Sequence, residues 1–307
     1  MSRDAALERF RQRGFPTPKL EDWKYTDLSS IAELGARWLE TPAEPEAPDH
    51  AAIEAVTSAI DADWLVIANG ELVASLSTAN GTEGLEIGPF ELQDQAFDDR
   101  LADLNAALLV DGLTVRVSDR HDPAKPIGIL VADIASVPRM SQVRIDLRVD
   151  ANASARVIEY HISSGTDEHY SNTLITLDVA DGATVDYVRL QNRALHHSQT
   201  ARLNVSLAKD SHLNHGAIDI GGRLARNDLA IDIVGAGADA SFDGLYIVNE
   251  GQHVDNHTRV DHRVGPATSA QEYRGILNGR CRAVWNGKAI VHAGADGTDA
   301  EQANHNL

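Results

Sequence analysis

The chain has 307 residues, of which 43% are hydrophobic but only 5% aromatic, so its core must consist mainly of Ala, Val, Ile and Leu. Its 46 acidic and 27 basic residues give a net charge of −19, which excludes nucleic acid and anionic membranes as main partners. A single cysteine, a charged start and the lack of any apolar run of ~20 residues predict a cytoplasmic protein without internal disulfides, secretory signal or membrane span.

The first 112 residues predict a small domain that is helical or mixed α and β. Helices are expected at three places, over residues 2–13, 51–60 and 94–110. The first can be capped by Ser2 and ended by Gly14. The third has an apolar face at helical spacing, formed by Phe97, Leu101, Leu104 and Leu108.

Two further features lie between these helices. Residues 41–50 contain three prolines and three acidic residues, which predicts a solvated linker. Two apolar runs, 64–67 and 72–73, flank Asn69-Gly70 and predict a β-hairpin, because both turn residues tolerate positive φ.

An aromatic segment at residues 21–28 reads EDWKYTDL in a chain with few aromatics. Its Trp23 and Tyr25 are expected to pack the segment against a neighbouring element. The alternative is a catalytic role for its charged residues, Asp22, Lys24 and Asp27.

After residue 112 the sequence pattern changes, and a domain boundary is predicted there. Apolar and polar residues alternate over 113–117, 127–131 and 143–149, as expected for half-buried strands. Small-residue turns then recur, ending at Ala153, Ala183, Ser211 and Ala238, which are 30, 28 and 27 positions apart. Such a period indicates stacked β units, and it is too short for propeller blades of ~40–45 residues. Residues 113–307 therefore predict a parallel β-helix.

Histidines are concentrated in the β part, where His253, His257 and His262 lie near Asp255 and Asp261. Imidazole and carboxylate together suit a divalent transition metal, so the three histidines are candidate ligands. On a strand His253, Asp255 and His257 would share one face. Stacked polar ladders on the outside of a β-helix would place the same residues there for structural reasons, and both interpretations stay open.

Cys281 lies between Arg280 and Arg282, whose charges would activate a thiol that they faced. On a strand the two arginines point to the opposite face, which favours a buried, inert cysteine. The common phosphate-binding and nucleophile motifs do not occur. No residue is therefore predicted to be catalytic, and a scaffold is favoured over an enzyme.

Several segments together resemble the SufB/SufD family of iron–sulfur cluster assembly scaffold proteins, and most closely its SufD members. Residues 21–26 are similar to the opening motif of that family. The later segments follow the family order, at 253–258, 261–262, 273–277, 282–288, 298–300, 302 and 304–307. The resemblance implies an N-terminal helical region and a right-handed parallel β-helix. It also implies that the matching motif residues are structural, namely Trp23, Lys24, Tyr25, Asp255, Thr258, Asn286 and Gly287.

The resemblance further implies a role without catalysis. The chain would pair with a SufB-like subunit through the edges of the two β-helices and work with a SufC-like ATPase. No cofactor would be tightly bound, although an iron–sulfur cluster could form transiently at the shared interface, and flavin binding is left open. Family members continue past the segment at 304–307 into a region with a Cys-x-His motif and ATPase-binding helices. The chain is expected to lack that region, which leaves the ATPase contact and the choice between homodimer and heterodimer open.

Two other functions remain as alternatives from the residues themselves. One is a polysaccharide-active enzyme built on a β-helix. The other is a His-rich metal-binding or delivery protein that uses His253, His257 and His262.

Overall fold

The computed structural model describes residues 2–40, 44, 46–92 and 99–307. The described helices are α1 (Arg3–Arg13), α2 (Ser29–Glu40), α3 (His50–Thr57) and α4 (Arg100–Leu108). Within these ranges, no helix combines the length and the apolar character needed to cross a bilayer.

Strands form most of the remaining structure. In chain order they are β1 (Asp63–Ala68), β2 (Glu71–Leu72), β3 (Leu85–Pro89), β4 (Gly112–Val117), β5 (Ile127–Ala135), β6 (Arg139–Val149), β7 (Ser154–Gly165), β8 (His169–Val179), β9 (Thr184–Asn192), β10 (His197–Leu207), β11 (His212–Asp219), β12 (Leu224–Ile233), β13 (Asp239–Val248), β14 (His253–His262), β15 (Thr268–Leu277), β16 (Arg282–Val291) and β17 (Asp299–Asn306).

The strands form two sheets that the chain visits alternately. The first sheet has the order β17-β15-β13-β11-β9-β7-β5-β1-β2, and the second has the order β16-β14-β12-β10-β8-β6-β4-β3. Every pairing among strands β4 to β17 is parallel. Each coil therefore contributes one strand to each sheet, and the predicted β-solenoid is confirmed.

The predicted repeat positions mark the start of successive coils. Ala153, Ala183, Ser211 and Ala238 each precede a strand of the first sheet, and all four are buried. Between the sheets, inward side chains stack in register, as Ile145, Ile175, Leu203 and Leu229 do in the second sheet. Burying each such side chain contributes about 1.5–3 kcal/mol to the stability of the folded state.

The helices cover the outer faces of the sheets. Helices α1, α2 and α4 pack on the second sheet through an apolar cluster that includes Phe10, Ile31, Leu104 and Tyr170. Helix α3 packs Ile53 and Val56 on the first sheet. Helix α2 was not predicted, although Ile31, Leu34 and Trp38 recur at helical spacing. A Cβ at Gly35 would lie 2.9 Å from the Phe15 ring, so close packing explains the glycine.

The predicted elements before residue 112 are largely present. Helix α1 begins after Ser2, whose side chain accepts the Ala5 N–H, and ends at Gly14 with φ of 63°. Helix α3 confirms the second predicted helix, and α4 confirms the third over its described part. Phe97 and the rest of residues 93–98 lie outside the described residues, as do four of the ten residues of the predicted linker, 41–43 and 45.

The predicted hairpin is formed by β1 and β2, with positive φ at Asn69 and Gly70. Strand β1 also pairs in parallel with β5, and β3 pairs with β4. The two sheets therefore extend across residue 112, where the sequence predicts a domain boundary.

Candidate functional site

The N-terminal aromatic segment lies against the outer face of the second sheet, where it meets the histidine-rich strand β14. The Arg226 guanidinium lies 3.9 Å from the centre of the Trp23 ring, and its Nη1 donates to the Asp22 carbonyl oxygen at 2.8 Å. The Thr26 hydroxyl donates to Asp255. Lys288 Nζ contacts the Asp22 carboxylate at 3.0 Å. We call this site the motif junction, made of Asp22, Trp23, Thr26, Arg226, Asp255, His257 and Lys288.

Strand register explains why these charges meet. Arg226 on β12 and Asp255 on β14 are direct neighbours, and Arg226 Nη1 lies 2.8 Å from Asp255 Oδ2. Arg226 also contacts Asp228 at 2.9 Å. Burial would raise the pKa of Asp255, but contacts with His257 and Arg226 hold that pKa below its ordinary value. The buried arginine is therefore neutralised by two carboxylates and covered by an aromatic ring.

The structure separates the three candidate metal ligands. His257 Nε2 lies 2.9 Å from Asp255 Oδ1, on the same outer face as the partly buried His253. His262 is buried on the inner face, with its Nε2 2.9 Å from the Ser269 hydroxyl. Across the ranges that the structure describes, no three His, Cys, Asp or Glu side chains are placed to hold a metal ion. The three histidines therefore do not form one metal site, because strand alternation sends His262 to the opposite face.

The other family-motif residues occupy different positions around this junction. Lys24 contacts Glu21 at 2.6 Å. Tyr25 is 41% exposed, and the Arg282 guanidinium lies 5.7 Å from its ring centre. Inside the solenoid, the Thr258 hydroxyl donates to Gln271 at 2.6 Å and so links the two sheets.

Strand β16 carries the remaining motif residues. Asn286 lines a cleft beside the motif junction. A Cβ at Gly287 would lie 2.5 Å from the Trp285 ring, which explains the glycine. Cys281, just before β16, is partly buried and packs against the solenoid core.

The cleft has a volume of about 630 Å³ and lies between the N-terminal segment and strands β10, β12, β14 and β16. Four of its cations are paired with carboxylates: Arg202 with Asp99, Arg259 with Asp261, Arg263 with Asp232 and Lys288 with Asp22. Hydrogen bonds from Lys288 lower the pKa of Asp22, and those from Arg259 lower the pKa of Asp261. These carboxylates stay ionised at neutral pH, whereas a general acid or base needs a pKa near the working pH. Asp22 and Asp261 are therefore better suited to binding polar groups than to proton transfer.

A column of buried polar side chains runs inside the solenoid, and the sequence analysis did not identify it. The fully buried Arg193 contacts Asp133 at 2.5 Å. His161 and the Tyr187 hydroxyl both contact Glu159, at 2.6 and 2.7 Å. The column continues with Arg189, Asp219 and Asn227. Alternation with the inward Val185 places Arg189 and Arg193 inside, so the period-two pattern could have found them.

Several pKa values in this column are displaced. Burial would raise the pKa of Asp133, but His169 and Arg193 hold it at about 2. Burial lowers the pKa of His169 to about 3 and that of His215 to about 3. Asp133 is therefore ionised and both histidines are neutral at physiological pH.

Replacing Thr26 by Val is expected to lower the free energy of unfolding by about 1–3 kcal/mol, because Asp255 loses a donor and stays buried. Urea unfolding of both proteins measures the difference. Thr184→Val, at a partly exposed position on β9, is the matched control. An equal loss in both variants would show that the Thr26 hydrogen bond contributes nothing specific.

Known proteins match the two regions that the motif junction brings together. Residues 132–307 match the family model described as "SUF system FeS cluster assembly, SufBD core domain", and residues 1–91 match "SufBD protein N-terminal region". Trp23 and Thr26 lie in the N-terminal match, whereas Arg226 and Asp255 lie in the core match. The junction thus joins two family segments that are distant in sequence.

Individual relatives agree with these matches. The iron-sulfur cluster assembly protein SufD of Escherichia coli (strain K12) is 26% identical over 98% of this chain and 72% of the relative. A SufBD family protein of Mycobacterium leprae is 28% identical over 80% of this chain and 64% of the relative. One from Synechocystis is 22% identical over 99% of this chain and 72% of the relative. The chain thus belongs to the SufBD family of SUF-system iron–sulfur cluster assembly proteins.

Proposed function

We propose that this chain is a non-catalytic scaffold subunit of the cytoplasmic SUF machinery. It would pair with a SufB-like subunit and work with a SufC-like ATPase. The motif junction supports this proposal. Through Trp23, Arg226 and Asp255 it holds the N-terminal segment that matches the family against the core segment that matches it. The ionised carboxylates of the cleft favour polar recognition over catalysis.

The proposed pairing uses the backbone of β17. Asp299 N–H donates to the Ala267 carbonyl, and Leu307 N–H donates to the Gly275 carbonyl, so odd-numbered residues of this segment bond toward the β15 side. In a parallel strand, alternate residues present both N–H and C=O to opposite edges. Gln302 and Asn304 therefore direct these groups away from β15. We propose that they pair with a strand of the SufB-like partner, which would continue the sheet.

Replacing Gln302 by Pro tests this pairing. Proline removes an N–H that points away from β15, so the fold should persist while at least ten-fold less SufB-like partner co-purifies from cells expressing all three proteins. Gln302→Thr keeps the N–H and is the matched control. Equal recovery of the partner with Gln302→Pro would refute pairing through this edge. Failure of the unmodified chain to associate with the SufB-like or SufC-like protein would refute the scaffold role, and native mass measurement would then distinguish a homodimer from a monomer.

The cluster itself is proposed as cargo. We propose that an iron–sulfur cluster forms transiently at the shared interface and leaves with its acceptor. Family membership favours this role over a polysaccharide-active enzyme. The opposite orientation of His262 disfavours metal delivery by His253, His257 and His262.

A further inference from the structure

A helix of this chain, α3, already packs on the outer face of the first sheet. Helix α3 buries Ile53 and Val56 against Trp64 and Val66 of β1 and Leu130 of β5. Three residues of β7 pack at the margin of this cluster and are only partly buried, Ile158, Tyr160 and Ile162. The helix thus covers the first strands of an apolar face.

The same face continues past α3 across four more strands. Leu190, Ile218 and Leu245 are successive register partners that follow Tyr160. We call the exposed continuation the apolar stripe, made of Val188, Leu190, Ile218, Ile220, Leu245, Ile247 and Ile276. Val188 and Ile276 are 43% and 44% exposed, and the other five are partly buried.

A contiguous row of this kind differs from scattered apolar residues on a surface. Single exposed apolar side chains need no explanation, whereas contiguous exposed patches mark interaction sites. The aliphatic side chains lie on neighbouring strands about 4.8 Å apart, so they form one surface. Because α3 occupies the start of that surface, its remainder suits an element of the same kind.

One margin of the stripe is acidic. Asp243 and Glu272 are direct neighbours in the register of β13 and β15, continuing the row that contains Val188 and Gly216. Like charges side by side are unfavourable. Arg274 contacts Glu272 at 2.6 Å, while Asp243 is exposed. A cation from outside the chain would relieve this repulsion.

We propose that the apolar stripe binds an amphipathic α-helix of a partner protein, with an aliphatic face and a basic flank. The partner helix would cover the part of the outer face of the first sheet that α3 leaves exposed. Four strands span roughly 14 Å between the first and last, which a helix covers with about 10 residues at 1.5 Å per residue. Its aliphatic residues would recur three or four positions apart, and its Lys or Arg side chains would face Asp243. This binding does not depend on pairing through β17.

The probe is a synthetic 18-residue helical peptide with Leu on one face and Lys along one flank, titrated into the full chain by fluorescence anisotropy. Val188→Lys is expected to weaken binding at least ten-fold. Val234→Lys is the matched control, because Val234 is a 44% exposed valine that follows β12 in the second sheet. Asp243→Asn should weaken binding of the Lys-flanked peptide about three-fold and leave binding of an uncharged, Gln-flanked peptide unchanged.

Equal binding to Val188→Lys and Val234→Lys, or no binding by the unmodified chain, overturns the proposal. Ile276→Lys replaces Val188→Lys if circular dichroism shows that the latter is unfolded. A chain that dimerises without peptide, and loses its dimer on Val188→Lys, would instead identify a second copy as the occupant. Because the assay contains no SufB-like or SufC-like protein, its failure leaves the scaffold role unaffected.

Discussion

Replacing Asp133 by Asn is expected to lower the free energy of unfolding by about 3–5 kcal/mol, because it leaves Arg193 charged and unneutralised inside the solenoid. The wild-type atoms are 2.5 Å apart, and both side chains are fully buried. Arg193 also donates to Gln199 and contacts His161, but neither side chain carries the negative charge that would neutralise the guanidinium. Equilibrium unfolding in urea at pH 7.5 measures the loss.

A surface ion pair provides the control for this change. Arg148 and Asp178 lie 3.8 Å apart and are both more than half exposed, so Asp178→Asn should cost less than about 1 kcal/mol. Adding Arg193→Met to Asp133→Asn should recover part of the stability, because no unpaired charge then stays buried. Similar losses for Asp133→Asn and Asp178→Asn would mean that the buried pair does not stabilise the solenoid.

Lowering the pH from 7.5 to 5.0 is expected to destabilise the fold by about 2 kcal/mol for each of His169 and His215. Their pKa values are about 3 in the fold, against ~6.5 in an unfolded chain. Between these values the unfolded chain binds protons that the folded chain does not, so stability falls as the pH falls. The carboxylate of Asp133, with a pKa of about 2, adds a separate loss only below about pH 4.

Urea unfolding at several pH values between 7.5 and 5.0 measures this loss. His215 faces Arg189 and Glu159 and stacks on the Tyr187 ring. His215→Gln removes its titration and should make the loss about 2 kcal/mol smaller. His305→Gln, at an exposed position on β17, is the control. A wild-type stability that does not change down to pH 5 would contradict neutral buried histidines.

The solenoid could be predicted from sequence because each coil repeats one local requirement. A small residue precedes four successive strands of the first sheet, and these residues, Ala153, Ala183, Ser211 and Ala238, recur at nearly constant spacing. The motif junction could not be predicted in the same way. Thr26 and Asp255 are 229 positions apart, and no local pattern specifies that they touch.

The polar column was missed for a different reason. In an alternating pattern the apolar residues are normally expected to point inward. Here the charged residues Arg189, Arg193 and Asp133 occupy inward positions instead. Paired charges inside a solenoid satisfy each other across neighbouring coils, as Arg193 and Asp133 do. This charge pairing depends on how neighbouring coils are aligned in the folded protein, which the sequence pattern alone does not give.

The length of chain between Thr26 and Asp255 also affects the order in which contacts form while the protein is being synthesised. Translation at about 5–20 residues per second separates the emergence of these two residues by roughly 10–50 s, because 229 positions lie between them. Until Arg226 has been synthesised, Trp23 lacks the guanidinium that lies over its ring. The contacts of residues 21–28 with Arg226 and Asp255 can therefore be completed only after strand β14 has been synthesised.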